Sequence, residues 1–259
     1  MVRLRKLQEI CCGIYKKNKK GTDREQEDIV IPEEETAAEK EFNIEVGRCV
    51  LRVLPIKKSE PVGDRILRFL DTFLAHAYEK DNELFASKDE EDDGMQSASD
   101  TPTSRLTSRL VDLISPILAS KDKVVRFRAT QIIAHIVNTL ESIDDELYHA
   151  IRQGLLKRIR DKESSVRVQA VIGLARLTGN EDEEGPDDNS TALLEKLIEI
   201  MQNDTSADVR KSLLSNLPLS QVTLPYLLER ARDLDAPTRR TLYSRLLPTL
   251  AISAICLWE

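Results

Sequence analysis

Asp161-Lys-Glu-Ser-Ser-Val166-Arg167-Val-Gln-Ala170-Val-Ile-Gly-Leu174 is the stretch on which the fold turns. An aspartate stands six residues before an arginine, and a valine stands directly before it. Apolar residues follow at three and seven positions beyond the arginine, the spacing of one helical face. The same phase returns as Asp204, Val209-Arg210, Leu213 and Leu217, and again as Asp233, Thr238-Arg239, Leu242 and Leu246. An earlier copy reads Val125-Arg126, Ala129 and Ile133, with Ser120 in the aspartate's place and Asp122 displaced from it.

The four arginines lie 41, 43 and 29 residues apart. The first two intervals fall near the roughly 40–47 residues of a repeating helix pair. Each copy is preceded by another amphipathic segment, at about 107–119, 145–159, 191–202 and 221–232. One helix pair cannot bury both its apolar faces, so it stacks on the next. The phase therefore predicts an all-α fold, a right-handed α-solenoid of HEAT repeats built from antiparallel helix pairs. Arg126, Arg167, Arg210, Arg239, Asp161, Asp204 and Asp233 are its expected structural ladder. Each aspartate sits where it can satisfy free helix N–H groups or pair with a neighbouring repeat's arginine.

Composition agrees with this reading. The 259 residues are 41% hydrophobic but only 4% aromatic, so the core is aliphatic. The formal charge of −7 is unevenly spread. Residues 21–45 hold ten acids against Arg24 and Lys40, residues 81–100 hold eight against Lys88, and residues 181–188 hold six and no base, which leaves the rest of the chain near +14. Such charge density reads as solvated loop. The expected organisation is a basic N-terminal helix over 1–20, an acidic flexible loop over 21–43 and a HEAT-like helical pair over 44–80. An acidic Ser/Thr-rich disordered loop over 81–103 follows. The repeat array then covers 104–250, with an acidic insertion at 179–190, and 251–259 form an apolar tail that reads as a truncation.

No catalytic chemistry emerges. Gly13 and Gly21 bracket a lysine-rich run without the spacing of a phosphate-binding loop, and GxSxG, HExxH and GxGxxG motifs are missing. His76, His135 and His149 stand apart inside helical patterns. Cys11 and Cys12 are adjacent, Cys49 and Cys256 isolated, and none has metal-ligand spacing. The longest uncharged run, Leu246 to Trp258, falls short of the roughly 20 apolar residues that span a bilayer. The expectation is a non-enzyme with no cofactor, no metal, no small-molecule substrate and no membrane partner, in a reducing compartment.

Basic helix surface remains. Residues 104–178 carry 13 bases against 8 acids. Lys121, Lys123 and Arg128 form one cluster of candidate DNA contacts, and Lys157, Arg158, Arg160 and Lys162 form another. Both fall near the turn between the helices of a pair, where successive repeats would line them along one ridge. Such a ridge neutralises phosphates without reading bases. With few aromatics between them, duplex backbone is favoured over stacked single strands.

Val125-Arg-Phe-Arg-Ala-Thr-Gln-Ile-Ile133, Leu156-Lys-Arg-Ile-Arg-Asp161 and Val166-Arg-Val-Gln-Ala170 resemble the condensin complex subunit 3 family, the CAP-G type of non-SMC HEAT-repeat subunit. Gln202-Asn-Asp204, Asp208-Val-Arg-Lys211, Leu228-Glu-Arg-Ala-Arg-Asp233 and Tyr243-Ser-Arg245 continue the resemblance in order, over about 105–250. The resemblance implies a non-catalytic subunit of the ring complex that compacts mitotic chromosomes. Its implied partners are the kleisin subunit, double-stranded DNA in chromatin and, indirectly, the SMC ATPase subunits. Its implied location is the nucleus and chromosome, with a cytoplasmic pool left open. Members of the family are far longer, and the expectation is a truncated N-terminal portion. A generic HEAT adaptor that binds protein and no nucleic acid stays open beside this reading.

Overall fold

A computed structural model describes residues 1–18, 27–30, 35–86, 101–139, 145–178 and 188–246, together with Pro248. Its described residues divide between two compact units, Met1–Ile151 and Arg152–Glu259. The helices are α1 (Val2–Cys11), α2 (Ala37–Leu51), α3 (Pro61–Ala86), α4 (Pro102–Ile114), α5 (Lys123–Thr139), α6 (Asp145–Arg158), α7 (Ser164–Leu177), α8 (Asp188–Asn203), α9 (Ala207–Asn216), α10 (Leu224–Glu229) and α11 (Ala236–Thr241). Single 3-10 turns extend α4 over Ser115–Ala119 and α10 over Arg230–Arg232, and a π turn over Leu242–Leu246 follows α11.

In the first unit, α3 packs on α4 and α5, and α2 packs on α1 and α4. The core is aliphatic: Leu67, Leu74, Ala77, Leu106, Val111, Ile114, Ile132, Ile133 and Ile136 are fully buried. Ile66 of α3 is 39% exposed. It lies at the edge of a face whose centre is set by Leu67, Leu70, Phe73, Leu74 and Ala77. In the second unit, α7 packs on α8 and α9, and α9 packs on α8 and α11. The apolar phase of the repeat does this work, because Val166, Ala170, Leu174, Val209 and Leu213 are all without exposed surface.

The first 103 residues depart from expectation in three places. The basic helix stops at Cys11, where Gly13 takes a φ of 72° that favours glycine. Tyr15–Asn18 then pairs antiparallel with Glu27–Val30, a two-stranded ribbon that breaks the expected 1–20 helix. Helix α2 begins seven residues before 44, inside the stretch read as acidic loop. Thr36 caps it, its side-chain oxygen accepting from the Glu39 N–H at 3.0 Å, and Thr36 Oγ1 donates to the Cys11 carbonyl at 2.6 Å. Helix α3 likewise runs on to Ala86, and α4 starts at Pro102 behind a Thr101 cap. Most of the expected acidic loops, 87–100 and 179–187 among them, and the 251–259 tail lie outside the described residues.

Candidate functional site

The turn inside each helix pair is built by one side chain. Asp161 Oδ1 accepts from the Glu163 N–H, Asp204 Oδ1 from the Ser206 N–H, and Asp233 Oδ1 from the Asp235 N–H, at 2.7–3.0 Å. These are Asx turns. Ser120 does the same with its hydroxyl, accepting from the Asp122 N–H at 3.3 Å. The register arginine then reaches back. Nη1 of Arg126, Arg167, Arg210 and Arg239 donates to the backbone carbonyls of Ser120, Asp161, Asp204 and Asp233, each six residues earlier. In Arg167 and Arg210 the rest of the guanidinium reaches forward to the next pair. Arg167 grips both oxygens of Asp204 at 2.9 Å, and Arg210 grips both of Asp233 at 2.8 Å.

Fork-to-fork contacts of this kind are the stronger charge-assisted hydrogen bonds. The Arg210 fork, aided by the Asp235 N–H, outweighs burial and holds the Asp233 carboxyl at about 2 against the usual 3.8. The hydrogen bonds that Arg167 and Arg210 donate to their aspartates push both guanidinia further up. A second arginine joins two rungs. Arg158 Nη1 donates to Asp161 at 3.1 Å, and Arg230 Nη1 to Asp233 at 3.3 Å.

The same accounting removes several bases from the surface. Arg128, a candidate DNA contact, is fully buried. Its guanidinium donates to Asp64 Oδ1, Gln131 Oε1 and the carbonyls of Ile56, Lys57 and Glu60, so it fastens the α2–α3 loop onto α5 and presents no donor to a phosphate. Burial works to raise the Asp64 carboxyl, but hydrogen bonds from Arg128 and Gln131 prevail and lower it. Arg158 is tied into the ladder as described.

Acids read from the sequence as loop are also spent inside the first unit. Glu39 is fully buried and takes both Nε and Nη2 of Arg105 at 2.8 and 3.0 Å, while Glu35 pairs with Arg109. Asp81 is fully buried between Arg5 and the Thr103 N–H.

The remaining candidates divide by place. Lys121 and Lys123 are exposed at the start of α5 in the first unit. In the second unit Lys162 is exposed on the α6–α7 turn, while Lys157 and Arg160 meet a residue that the sequence reading does not single out, Lys196 of α8. These three, with Gln153 and Leu156, line an open depression of about 440 Å³. Arg160 and Lys196 also border a smaller one of about 220 Å³, whose other walls include Glu199, Asn203 and Asp204. Among the described residues no helix is long and apolar enough to cross a membrane, and no group of three His, Cys, Asp or Glu could hold a metal ion. Burial raises the Cys12 thiol to about 12, which makes it a packed side chain without nucleophilic character.

No protein-family model matches the chain. Condensin complex subunit 3 of Schizosaccharomyces pombe is 37% identical over 216 residues, which are 81% of this chain and 21% of that protein. The Saccharomyces cerevisiae protein of the same name is 33% identical over 221 residues, and the human one 28% over 205. The crystal structure of the S. pombe condensin Cnd3-Cnd2 subcomplex matches with a TM-score of 0.64 at 36% identity, over 81% of this chain and 24% of that chain. The chain is homologous to part of condensin complex subunit 3. It spans about a fifth of the length of these relatives. The likeness to condensin complex subunit 3 makes the stacked helix pairs a HEAT array, the fold that the Asp–Arg register predicts.

Proposed function

We propose that the chain is a non-catalytic HEAT-repeat subunit of condensin that binds the kleisin subunit and the backbone of duplex DNA in mitotic chromosome condensation. It acts on chromosomes in the nucleus, without a cofactor, and meets the SMC ATPase subunits through the kleisin. One observation carries this reading: four-fifths of the chain matches the condensin subunit Cnd3, whose crystal structure was determined with its partner Cnd2. The exposed cations Lys157, Arg160 and Lys162, with the half-buried Lys196 beside them, support the nucleic-acid half of it.

The pairing of Arg5, Arg105 and Arg109 with acids favours a second reading, a HEAT-repeat adaptor that binds a protein partner and no nucleic acid. Duplex binding across a salt series, with and without a kleisin fragment, separates the two. The DNA reading expects sequence-independent binding whose log affinity falls with log salt by roughly 3 to 5, strengthened by the fragment. A folded chain that binds the fragment and no duplex is the protein scaffold alone.

A further inference from the structure

We propose that the depression lined by Lys157, Arg160 and Lys196 is a phosphate seat, and that a duplex backbone is held there, against α6, the first residues after it and α8, and not along the row of residues that follow the turn aspartates. This rests on the reading of the chain as a DNA-binding condensin subunit. Three observations carry it.

Cations of two consecutive helix pairs converge on one depression although Lys196 lies 36 residues beyond Arg160 in the chain. Among the described residues none of the three is paired with a carboxylate, whereas Arg128, Arg158 and Arg167 are. The seat also has a polarity. No carboxylate lines the larger depression, and Gln153 adds an amide to its wall. The smaller one beside it carries Glu199 and Asp204. Asp204 is neutralised by the Arg167 fork, but Glu199 is exposed and repels an anion. A phosphate therefore settles at the Gln153–Lys157 end.

The turns offer no such continuity. The residue after the turn aspartate or serine is Lys121, Lys162, Thr205 and Leu234 in successive repeats, so its charge is gone by the third. Leu234 is 96% exposed. The wall of the depression has no aromatic ring on which a base could stack and no strand edge to pair with a peptide. Flexible cationic stems around an open hollow suit singly charged phosphates spaced along a strand.

The test is duplex binding by the full chain over a salt series, for the wild type and for Lys157→Gln, Arg160→Gln, Lys196→Gln and the triple variant. Lys162→Gln marks the turns, and exposed Lys211→Gln serves as the unrelated surface change. Melting temperatures establish that each variant folds. Each single change in the seat is expected to lower the log–log salt slope by about 0.9, and the triple change by nearly three times that. Wild-type binding with a slope lost at Lys162 and kept at Lys196 overturns the seat while leaving DNA binding intact. A wild type that binds no duplex overturns both. Orthophosphate is the second probe: stabilisation by it that Lys196→Gln abolishes, with the duplex slope unchanged, means a small-anion site and also overturns the proposal.

Discussion

Arg210 and Asp233 stand 23 residues apart in the sequence and face each other fork to fork, Nε and Nη2 donating to the two carboxylate oxygens at 2.8 Å. The same aspartate shapes its own turn and offers its carbonyl to Arg239. One residue thus fixes a turn, a helix start and the contact between two helix pairs. The folded chain holds the Asp233 carboxyl at about 2, below the usual 3.8 that it regains on unfolding.

The stability conferred by that shift is complete above about pH 5 and is lost as pH falls from 4 towards 2. It amounts to about 2 kcal/mol. Urea unfolding of wild type and Asp233→Asn between pH 3 and pH 6 reads this directly. The gap between the two proteins narrows as the solution is acidified. A gap that stays constant over that window contradicts the assignment.

Arg167 and Asp204 repeat the contact one pair earlier and are open to a double-mutant cycle. Arg167→Gln with Asp204→Asn is expected to show a coupling of about 1–3 kcal/mol. Arg167→Lys recovers only part of it, because an ammonium cannot fill two parallel hydrogen bonds. Additive single changes would mean that the fork contributes nothing between the pairs.

The register was legible because the ladder needs fixed residues at fixed offsets: an Asp for the turn, an Arg six later, apolar residues at three and seven beyond it. Its failures have equally local causes. Arg126 and Arg128 are two residues apart on one helix, and no periodicity tells that Arg126 serves the turn while Arg128 plugs the loop at 56–60 of another element. Lys196 carries no motif, and its meeting with Arg160 exists only once α6 and α8 are folded. Asp81, Glu39 and Glu35 read as loop charge because acids cluster around them, yet three arginines draw them into the first unit. Tyr15–Asn18 prolongs the basic pattern of α1, so the turn at Gly13 was hidden.

Buried Arg128 makes two expectations. Arg128→Ala removes the donors of three carbonyls, loosens the hold on Asp64 and opens a cavity, and costs about 2–4 kcal/mol. Gly63→Ala puts a Cβ at 2.6 Å from the Arg128 guanidinium and costs about 1–3 kcal/mol by overpacking. In an Arg128→Met background the alanine at 63 should cost clearly less, and chemical denaturation of the four proteins shows whether it does. Equal cost in both backgrounds would remove Arg128 as the source of the clash.

Arg5 gives the matching case at the other end of the first unit. Its side chain is 3% exposed and its partner Asp81 is fully buried. Arg5→Met leaves that carboxylate with only the Thr103 N–H and is expected to cost about 3–5 kcal/mol. Replacing both, as Arg5→Met with Asp81→Leu, should restore most of the loss. Hydrogen exchange in α1 and α4 locates the effect: protection falls in the single variant and returns in the double.

The central claim is that these helix pairs are a kleisin-binding part of condensin, and calorimetric titration of the full chain with the Cnd2-type kleisin tests it most directly. The account predicts saturable binding of one kleisin per chain, with a negative heat-capacity change from buried apolar surface. A folded chain that gives no heat and no complex at any temperature tried would contradict it.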